Sequence, residues 1–162
     1  MNALLFSESR MLMFMSTSSP PPPKLSPWKI LLVDDEPDIL EILALEFELQ
    51  GMKTITASDG QQAIEILRSE VATHIGAVLS DIRMPRADGI AVLDEAVRLW
   101  PGLPVILLTG YSDMSAESAR KRGAYQLLAK PFNAERLVET VKSACASYHC
   151  ANHPTDHLGH AG

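Results

Sequence analysis

Five polar side chains stand just after short apolar runs, and their types are those that handle phosphate. They are Asp34, Asp35, Asp81, Thr109 and Lys130. Carboxylate oxygens are the ligands that Mg²⁺ prefers, and phosphate oxygens commonly complete its coordination. An ammonium and a hydroxyl beside such an ion can neutralise and hydrogen-bond a phosphoryl group. The set therefore indicates an aspartyl-phosphate site.

Each of these residues also has an ordinary explanation. An Asp after a strand often caps a helix, a Thr in a loop is commonly a turn residue, and a Lys before Pro131 can simply be solvated. Gathering all of them at one edge disfavours the separate explanations. Two carboxylates about 4 Å apart in a partly screened site repel by about 4 kcal/mol, so a cation is expected with them.

The elements that would position these residues alternate regularly along the chain. Five apolar runs are predicted strands: Ile30–Val33, Met52–Ala57, Ala77–Leu79, Val105–Leu108 and Leu127–Ala129. Helical stripes lie between and after them, and are formed by Ile39, Leu43 and Phe47, by Ile64, Leu67 and Val71, by Ile90, Leu93, Val97 and Trp100, and by Ala134, Leu137, Val138, Val141 and Cys145. This alternation predicts a doubly wound parallel sheet with helices on both faces, which brings all the strand ends to one edge.

The predicted fourth helix differs from the others in its apolar content. Residues Ser112 to Arg122 contain only Met114 and alanines as apolar side chains. A lightly anchored element is a candidate for movement.

Composition and charge set the domain organisation and exclude some functions. The 162 residues suit one domain at 28–147, with a Pro/Ser-rich disordered arm at 1–27 and a flexible His-rich tail at 148–162. The net charge of -6 argues against direct nucleic-acid binding, and no apolar run could insert into a membrane. Cys145 and Cys150 are too close in sequence to staple a fold, which favours a reducing, cytoplasmic location.

Two terminal features remain open from the sequence. Met11, Met13 or Met15 is an alternative translation start to Met1, because the polar stretch begins after them. The tail histidines could bind Zn²⁺ or Ni²⁺, but Pro154 and Gly159 interrupt any helix that would align them, so a solvated tail is favoured.

Five ordered motifs give the sequence a family resemblance. They are LVDDE at 32–36, SDIRMP at 80–85, DG at 88–89, LLTGY at 107–111 and KPF at 130–132. Residues 28–147 resemble the receiver domains of two-component response regulators, a chemotaxis-regulator-like superfamily. The resemblance implies a flavodoxin-like, three-layer αβα fold with five parallel strands in the order 2-1-3-4-5.

The resemblance also assigns roles to matching positions. Asp81 would be the phospho-acceptor, Asp35 a direct Mg²⁺ ligand and Asp34 a ligand mainly through water. The backbone carbonyl of Arg83 would complete the coordination. Lys130 would pair with the phosphoryl group, and the Lys130–Pro131 peptide would be cis.

The resemblance implies a signalling domain rather than an enzyme that turns over a substrate. A histidine kinase or a histidine phosphotransfer protein would supply the phosphoryl group, and the domain would only assist its own phosphorylation and slow self-dephosphorylation. Thr109 would then move toward the phosphoryl group. The face formed by the fourth helix, fifth strand and fifth helix would bind a downstream protein or a second copy. Both a stand-alone regulator and a relay intermediate fit, because no output domain follows.

A few positions differ from the family pattern, and two other functions remain as alternatives. Leu127 stands where the family has an inward-turning aromatic, and Tyr125 lies two residues too early to replace it. Arg83 and Tyr111 could tune the phosphate lifetime. Arg83 also occupies the position where haloacid-dehalogenase-type phosphohydrolases have a second acid, which disfavours that enzyme class. A binding module that ignores phosphate is the other alternative.

Overall fold

The computed structural model describes residues 28–110 and 114–152. The proposed arm, Tyr111 and residues 153–162 of the proposed tail lie outside these residues. Five strands are described, β1 (Lys29–Val33), β2 (Lys53–Ala57), β3 (Ile75–Asp81), β4 (Val105–Thr109) and β5 (Gln126–Ala129). The helices are α1 (Pro37–Leu49), α2 (Gly60–Arg68), a 3-10 helix (Glu70–His74), α3 (Gly89–Leu99), α4 (Ala116–Lys121) and α5 (Ala134–Asn152). In these two ranges no helix combines the length and apolar character that a bilayer crossing needs.

The five strands form one parallel sheet in the order β2-β1-β3-β4-β5. Alternate strand residues point to opposite faces, so the sheet separates two apolar clusters. One cluster packs beneath α2, α3 and α4, and the other beneath α1 and α5. All seven residues of the central strand β3 are buried between these layers. The flavodoxin-like fold and its strand order are confirmed.

The helices differ from the sequence prediction at three places, in their bounds or in the residues that they bury. The stripe of α2 stops before Val71, which lies in the 3-10 helix and is 44% exposed. In α3 the buried residues are Gly89, Val92, Leu93 and Ala96, while Val97, which the sequence placed in the apolar stripe, is 40% exposed. Helix α4 is shorter than predicted, and starts after Ser115, whose hydroxyl caps it by accepting from the Ser118 backbone N–H.

Helix α5 continues to Asn152, five residues beyond the predicted end of the domain at 147. No proline lies between the start of α5 at Ala134 and Pro154, so no helix breaker of that kind stops α5 earlier. The ring of His149 lies 5.0 Å from the ring of Trp28, at the start of β1. Residues 148–152 of the predicted tail are therefore part of α5, which packs on the domain.

Candidate functional site

The five polar residues singled out from the sequence lie at the same edge of the sheet. Asp34 directly follows β1, Asp81 and Thr109 are the last residues of β3 and β4, and Lys130 directly follows β5. The strands are parallel, so their carboxyl ends meet at this edge. The backbone N–H of Lys130 donates to the Thr109 carbonyl at 2.7 Å, which ties two of the five positions together.

Three carboxylates form the centre of the site. One oxygen from each of Asp34, Asp35 and Asp81 lies within 4.8 Å of the other two. Asp34 is 1% exposed and Asp81 is 8% exposed, whereas Asp35 faces solvent. Three hard oxygen donors with an open side suit Mg²⁺, which retains several of its waters in proteins. The cluster could therefore hold a divalent cation.

Lys130 supplies positive charge to these carboxylates. Its ammonium lies 3.2 Å from Asp34 Oδ2 and 3.4 Å from Asp81 Oδ2. The other oxygen of Asp34 accepts a hydrogen bond from the Glu36 backbone N–H at 2.9 Å. These contacts hold the buried Asp34 carboxylate in one orientation beside the acceptor candidate Asp81.

Burial and neighbouring charges shift the pKa values of two of these groups. Burial raises the pKa of Asp81 above its ordinary value, Lys130 partly opposes that rise, and the Asp34 charge adds to it. Burial disfavours the charged form of Lys130, but the attraction of Asp34 and Asp81 outweighs it and raises the Lys130 pKa. Lys130 is therefore a permanent ammonium at neutral pH, and further positive charge would favour the ionised form of Asp81.

The segment from Ile82 to Asp88, here called the β3–α3 loop, connects Asp81 to α3 and contains Arg83. Its far end is fixed by Gly89, whose backbone N–H donates to the Ile82 carbonyl at 2.9 Å. A Cβ atom at Gly89 would lie 2.2 Å from the Asp81 carbonyl oxygen, so only glycine allows this approach. The Asp88 side chain then caps α3 by accepting from the Ala91 N–H. The Asp88–Gly89 pair, one of the five sequence motifs, thus locks the loop against the end of β3.

The positions that depart from the family pattern lie on β5 and just before it. Leu127 is partly buried against the cluster under α2, α3 and α4, beside Leu107 of β4. Tyr125 is exposed, and its backbone N–H donates to the Val105 carbonyl. The Lys130–Pro131 peptide is cis, as the resemblance implies.

One contact near the site was missed by sequence reasoning. Arg86 of the β3–α3 loop pairs with Asp59, the residue that directly precedes α2. No local pattern joins residues 27 positions apart. A cavity of about 570 Å³ also borders this loop, and its lining is mostly apolar, with Ile82, Met84 and Met114 among its residues.

Comparison with known proteins gives consistent matches. A family model described as a response regulator receiver domain matches residues 30–142. The C4-dicarboxylate transport transcriptional regulatory protein DctD of Rhizobium meliloti (strain 1021) is 40% identical over 116 residues, which are 71% of this chain and 25% of that protein. The DNA-binding transcriptional regulator NtrC of Escherichia coli (strain K12) is 36% identical over 120 residues, 74% of this chain and 25% of that protein. The chain thus spans about a quarter of the length of these curated relatives.

Solved structures give the same result. A response regulator receiver domain protein from Clostridium thermocellum superposes with a TM-score of 0.72 at 33% identity, and the match covers 76% of this chain and 98% of that one. The CheX–CheY–BeF3–Mg²⁺ complex from Borrelia burgdorferi contains a chain that matches with a TM-score of 0.66 at 26% identity, over 72% of this chain and 87% of that one.

Proposed function

The chain belongs to the response regulator receiver domain family, and we propose that it is a phosphorylation-dependent switch in which Asp81 accepts a phosphoryl group. The donor is a histidine kinase or a histidine phosphotransfer protein. The observation that carries this proposal is the buried Asp81 carboxylate, which has two further carboxylates and the Lys130 ammonium around it.

The proposed transfer is an in-line displacement at phosphorus. A carboxylate oxygen of Asp81 forms the new bond while the phosphorus–nitrogen bond of the donor phosphohistidine breaks, and the imidazole leaves. Lys130 pairs with the incoming phosphoryl oxygens, and the Thr109 hydroxyl donates a hydrogen bond to them. Because Lys130 already lies between Asp34 and Asp81, it needs little reorganisation for this role.

Mg²⁺ is the proposed cofactor. Asp34, Asp35, Asp81 and the backbone carbonyl of Arg83 would hold it, and all of these are the hard oxygen donors that it prefers. When bound, the ion supplies positive charge that offsets the negative charge of the phosphoryl oxygens. The similar CheY of Borrelia burgdorferi was solved with BeF3 and Mg²⁺, which supports the same chemistry here.

The proposed output is a change in protein contacts. The face formed by α4, β5 and α5 would bind a downstream protein or a second copy of the chain, because α4 follows Thr109 and α5 follows Lys130. The functional domain is proposed at residues 28–147, with α5 continuing beyond it, between the arm at 1–27 and the tail at 148–162. The net charge of -6 disfavours direct contact with nucleic acid, and Cys145 and Cys150, which are not joined in a disulfide, fit the reducing cytoplasm.

Labelling with a small phosphodonor tests the proposal. In Mg²⁺, the parent chain should take up close to one phosphoryl group from acetyl phosphate or phosphoramidate, whereas Asp81→Asn should take up none, because the amide is not a nucleophile. Asp94→Asn is the matched control, since Asp94 is an aspartate on α3 paired with Arg122. It should label like the parent. Stoichiometric labelling of Asp81→Asn would overturn the assignment.

Beryllofluoride separates the switch from a binding module that ignores phosphate. With Mg²⁺ it mimics the phosphoryl group at an aspartate, so the amide exchange of α4 should change when both are added to the parent chain. Asp81→Asn should show no such change. Unaltered exchange in a parent chain that labels normally would favour the binding module.

A further inference from the structure

The β3–α3 loop is anchored to the start of α2 by a charged contact. The Arg86 guanidinium lies 2.5 Å from Asp59 Oδ2, and the Asp59 side chain is only 6% exposed whereas that of Arg86 is 71% exposed. The other Asp59 oxygen accepts the Gln62 backbone N–H at 2.8 Å and caps α2. One buried carboxylate therefore binds both a helix start and the loop that follows the phospho-acceptor candidate.

Backbone contact reinforces this anchor. A Cβ atom at Gly60 would lie 2.1 Å from the Ala87 carbonyl oxygen and 2.9 Å from the Ala87 Cβ. The loop therefore rests directly on the first residue of α2, at a distance that only glycine permits. Gly89 fixes the other end of the loop against Asp81 in the same manner. The loop is held on two sides by glycines that start helices.

The backbone conformation of Arg86 indicates that its side chain matters. Its φ is 70°, in the left-handed region, where a residue with a Cβ is disfavoured by about 1–2 kcal/mol. Glycine or asparagine is the usual residue there. The ion pair with Asp59 offsets part of this cost.

We propose that Asp59 and Arg86 are positioning residues for the metal site. Their ion pair, with the Gly60 contact, holds the β3–α3 loop so that the backbone carbonyl of Arg83 stays beside Asp81. Only two residues separate Arg83 from Arg86, so movement of Arg86 shifts that carbonyl. The inference rests on the proposed function, because it assumes that the carbonyl is a Mg²⁺ ligand.

A purely structural role makes a different prediction. Ion pairs with an exposed partner at the protein surface typically contribute about 0–1 kcal/mol to folding. A positioning role should act on the ion instead, since outer contacts of metal ligands typically change metal affinity by about 10–100-fold. The two roles are separated by measuring Mg²⁺ affinity and the urea midpoint on the same variants.

Two conservative variants remove the pair without damaging its surroundings. Asp59→Asn keeps a side chain that caps helices well, and Arg86→Asn keeps a residue that tolerates positive φ. Asp94→Asn again serves as the control, because it breaks an arginine pair that joins α3 to the end of α4 and leaves the Asp59–Arg86 pair intact. Calorimetric titration of the full chain gives the Mg²⁺ affinity, and amide exchange of residues 82–88 without metal reports the loop itself.

Both test variants should bind Mg²⁺ about tenfold more weakly than the parent. Their backbone amides in residues 82–88 should exchange faster than those of the parent. Their urea midpoints should stay close to that of Asp94→Asn. Saturating Mg²⁺ should restore the rate of labelling by phosphoramidate. If both test variants bound Mg²⁺ as tightly as the parent, the inference would be overturned while the proposed function would stand. The same conclusion would follow if Asp94→Asn lost as much Mg²⁺ affinity as the test variants. If the parent chain neither bound Mg²⁺ nor took up a phosphoryl group, the proposed function itself would be overturned.

Discussion

The two helices that border β5 are held in different ways. Helix α5 spans 19 residues and buries an apolar stripe formed by Leu137, Val138, Val141, Ala144 and Cys145. Helix α4 spans six residues and buries only Ala119. Because apolar burial is the main source of helix stability in proteins, α5 is anchored by packing and α4 is not.

Helix α4 is attached mainly at its C-terminal end. The Arg122 guanidinium donates to both carboxylate oxygens of Asp94 on α3, at 2.8 and 2.9 Å. Gly123 follows with a φ of 106°, where a Cβ would lie 2.8 Å from Val97. The proposed partner face therefore combines a fixed half, α5, with a lightly held half, α4. The lightly held half, α4, is the one that follows Thr109. It is therefore the better candidate to move when the site changes.

The largest expected difference between the halves is in folding stability. Leu137→Ala should lower the free energy of unfolding by about 2–5 kcal/mol, because it leaves a cavity in the cluster under α5. Ala119→Gly, at the buried position of α4, should lower it by about 1 kcal/mol, the usual cost of glycine in a helix. Urea denaturation measures both. Equal losses would show that α4 is anchored as firmly as α5.

Amide exchange should show the same contrast within the unmodified chain. Amides of α4, such as those of Arg120 and Lys121, should exchange at least about tenfold faster than those of Val141 to Cys145, after correction for intrinsic rates. The α4 rates should depend weakly on urea, because they report local opening, and the α5 rates strongly. Similar urea dependence in both helices would mean that they open together.

The smallest expected effect is a pH dependence of the α4 attachment. The hydrogen bonds from Arg122 hold the pKa of Asp94 below its ordinary value of about 3.8. The stability that the ionised pair contributes is therefore present above that ordinary value and is lost as the pH falls through the lower folded pKa. The urea midpoint of the parent should exceed that of Asp94→Asn at pH 6, and the gap should narrow below about pH 4. If the difference in urea midpoint were unchanged at low pH, the ion pair between Asp94 and Arg122 would not be its source.

The strand ends could be predicted because their signal is local. Short apolar runs followed by Asp, Thr or Lys mark where buried strands reach the edge, and parallel strands share that edge. The five ordered motifs added the strand order, which periodicity does not contain. Asp34, Asp81 and Lys130 were therefore expected together, and they lie within contact distance.

Other features could not be predicted because they depend on neighbours far along the chain. Val71 continues the spacing of the α2 stripe, yet the helix ends at Arg68. His149 was assigned to a solvated tail, but it lies against the ring of Trp28, more than a hundred residues away in sequence. The ion pair of Arg86 with Asp59 belongs to the same group, because the sequence around a charged residue does not identify the residue with which it pairs.

The amino-acid sequence by itself determined the fold class and the edge at which Asp34, Asp35, Asp81, Thr109 and Lys130 meet. Strand periodicity is a property of short segments, and the regular alternation of strands with helices implies a parallel sheet. Only the tertiary structure decided how firmly each part around that edge is held. Burial of α5, the light attachment of α4 and the anchor of the β3–α3 loop on Asp59 all depend on which surfaces come together when the layers pack.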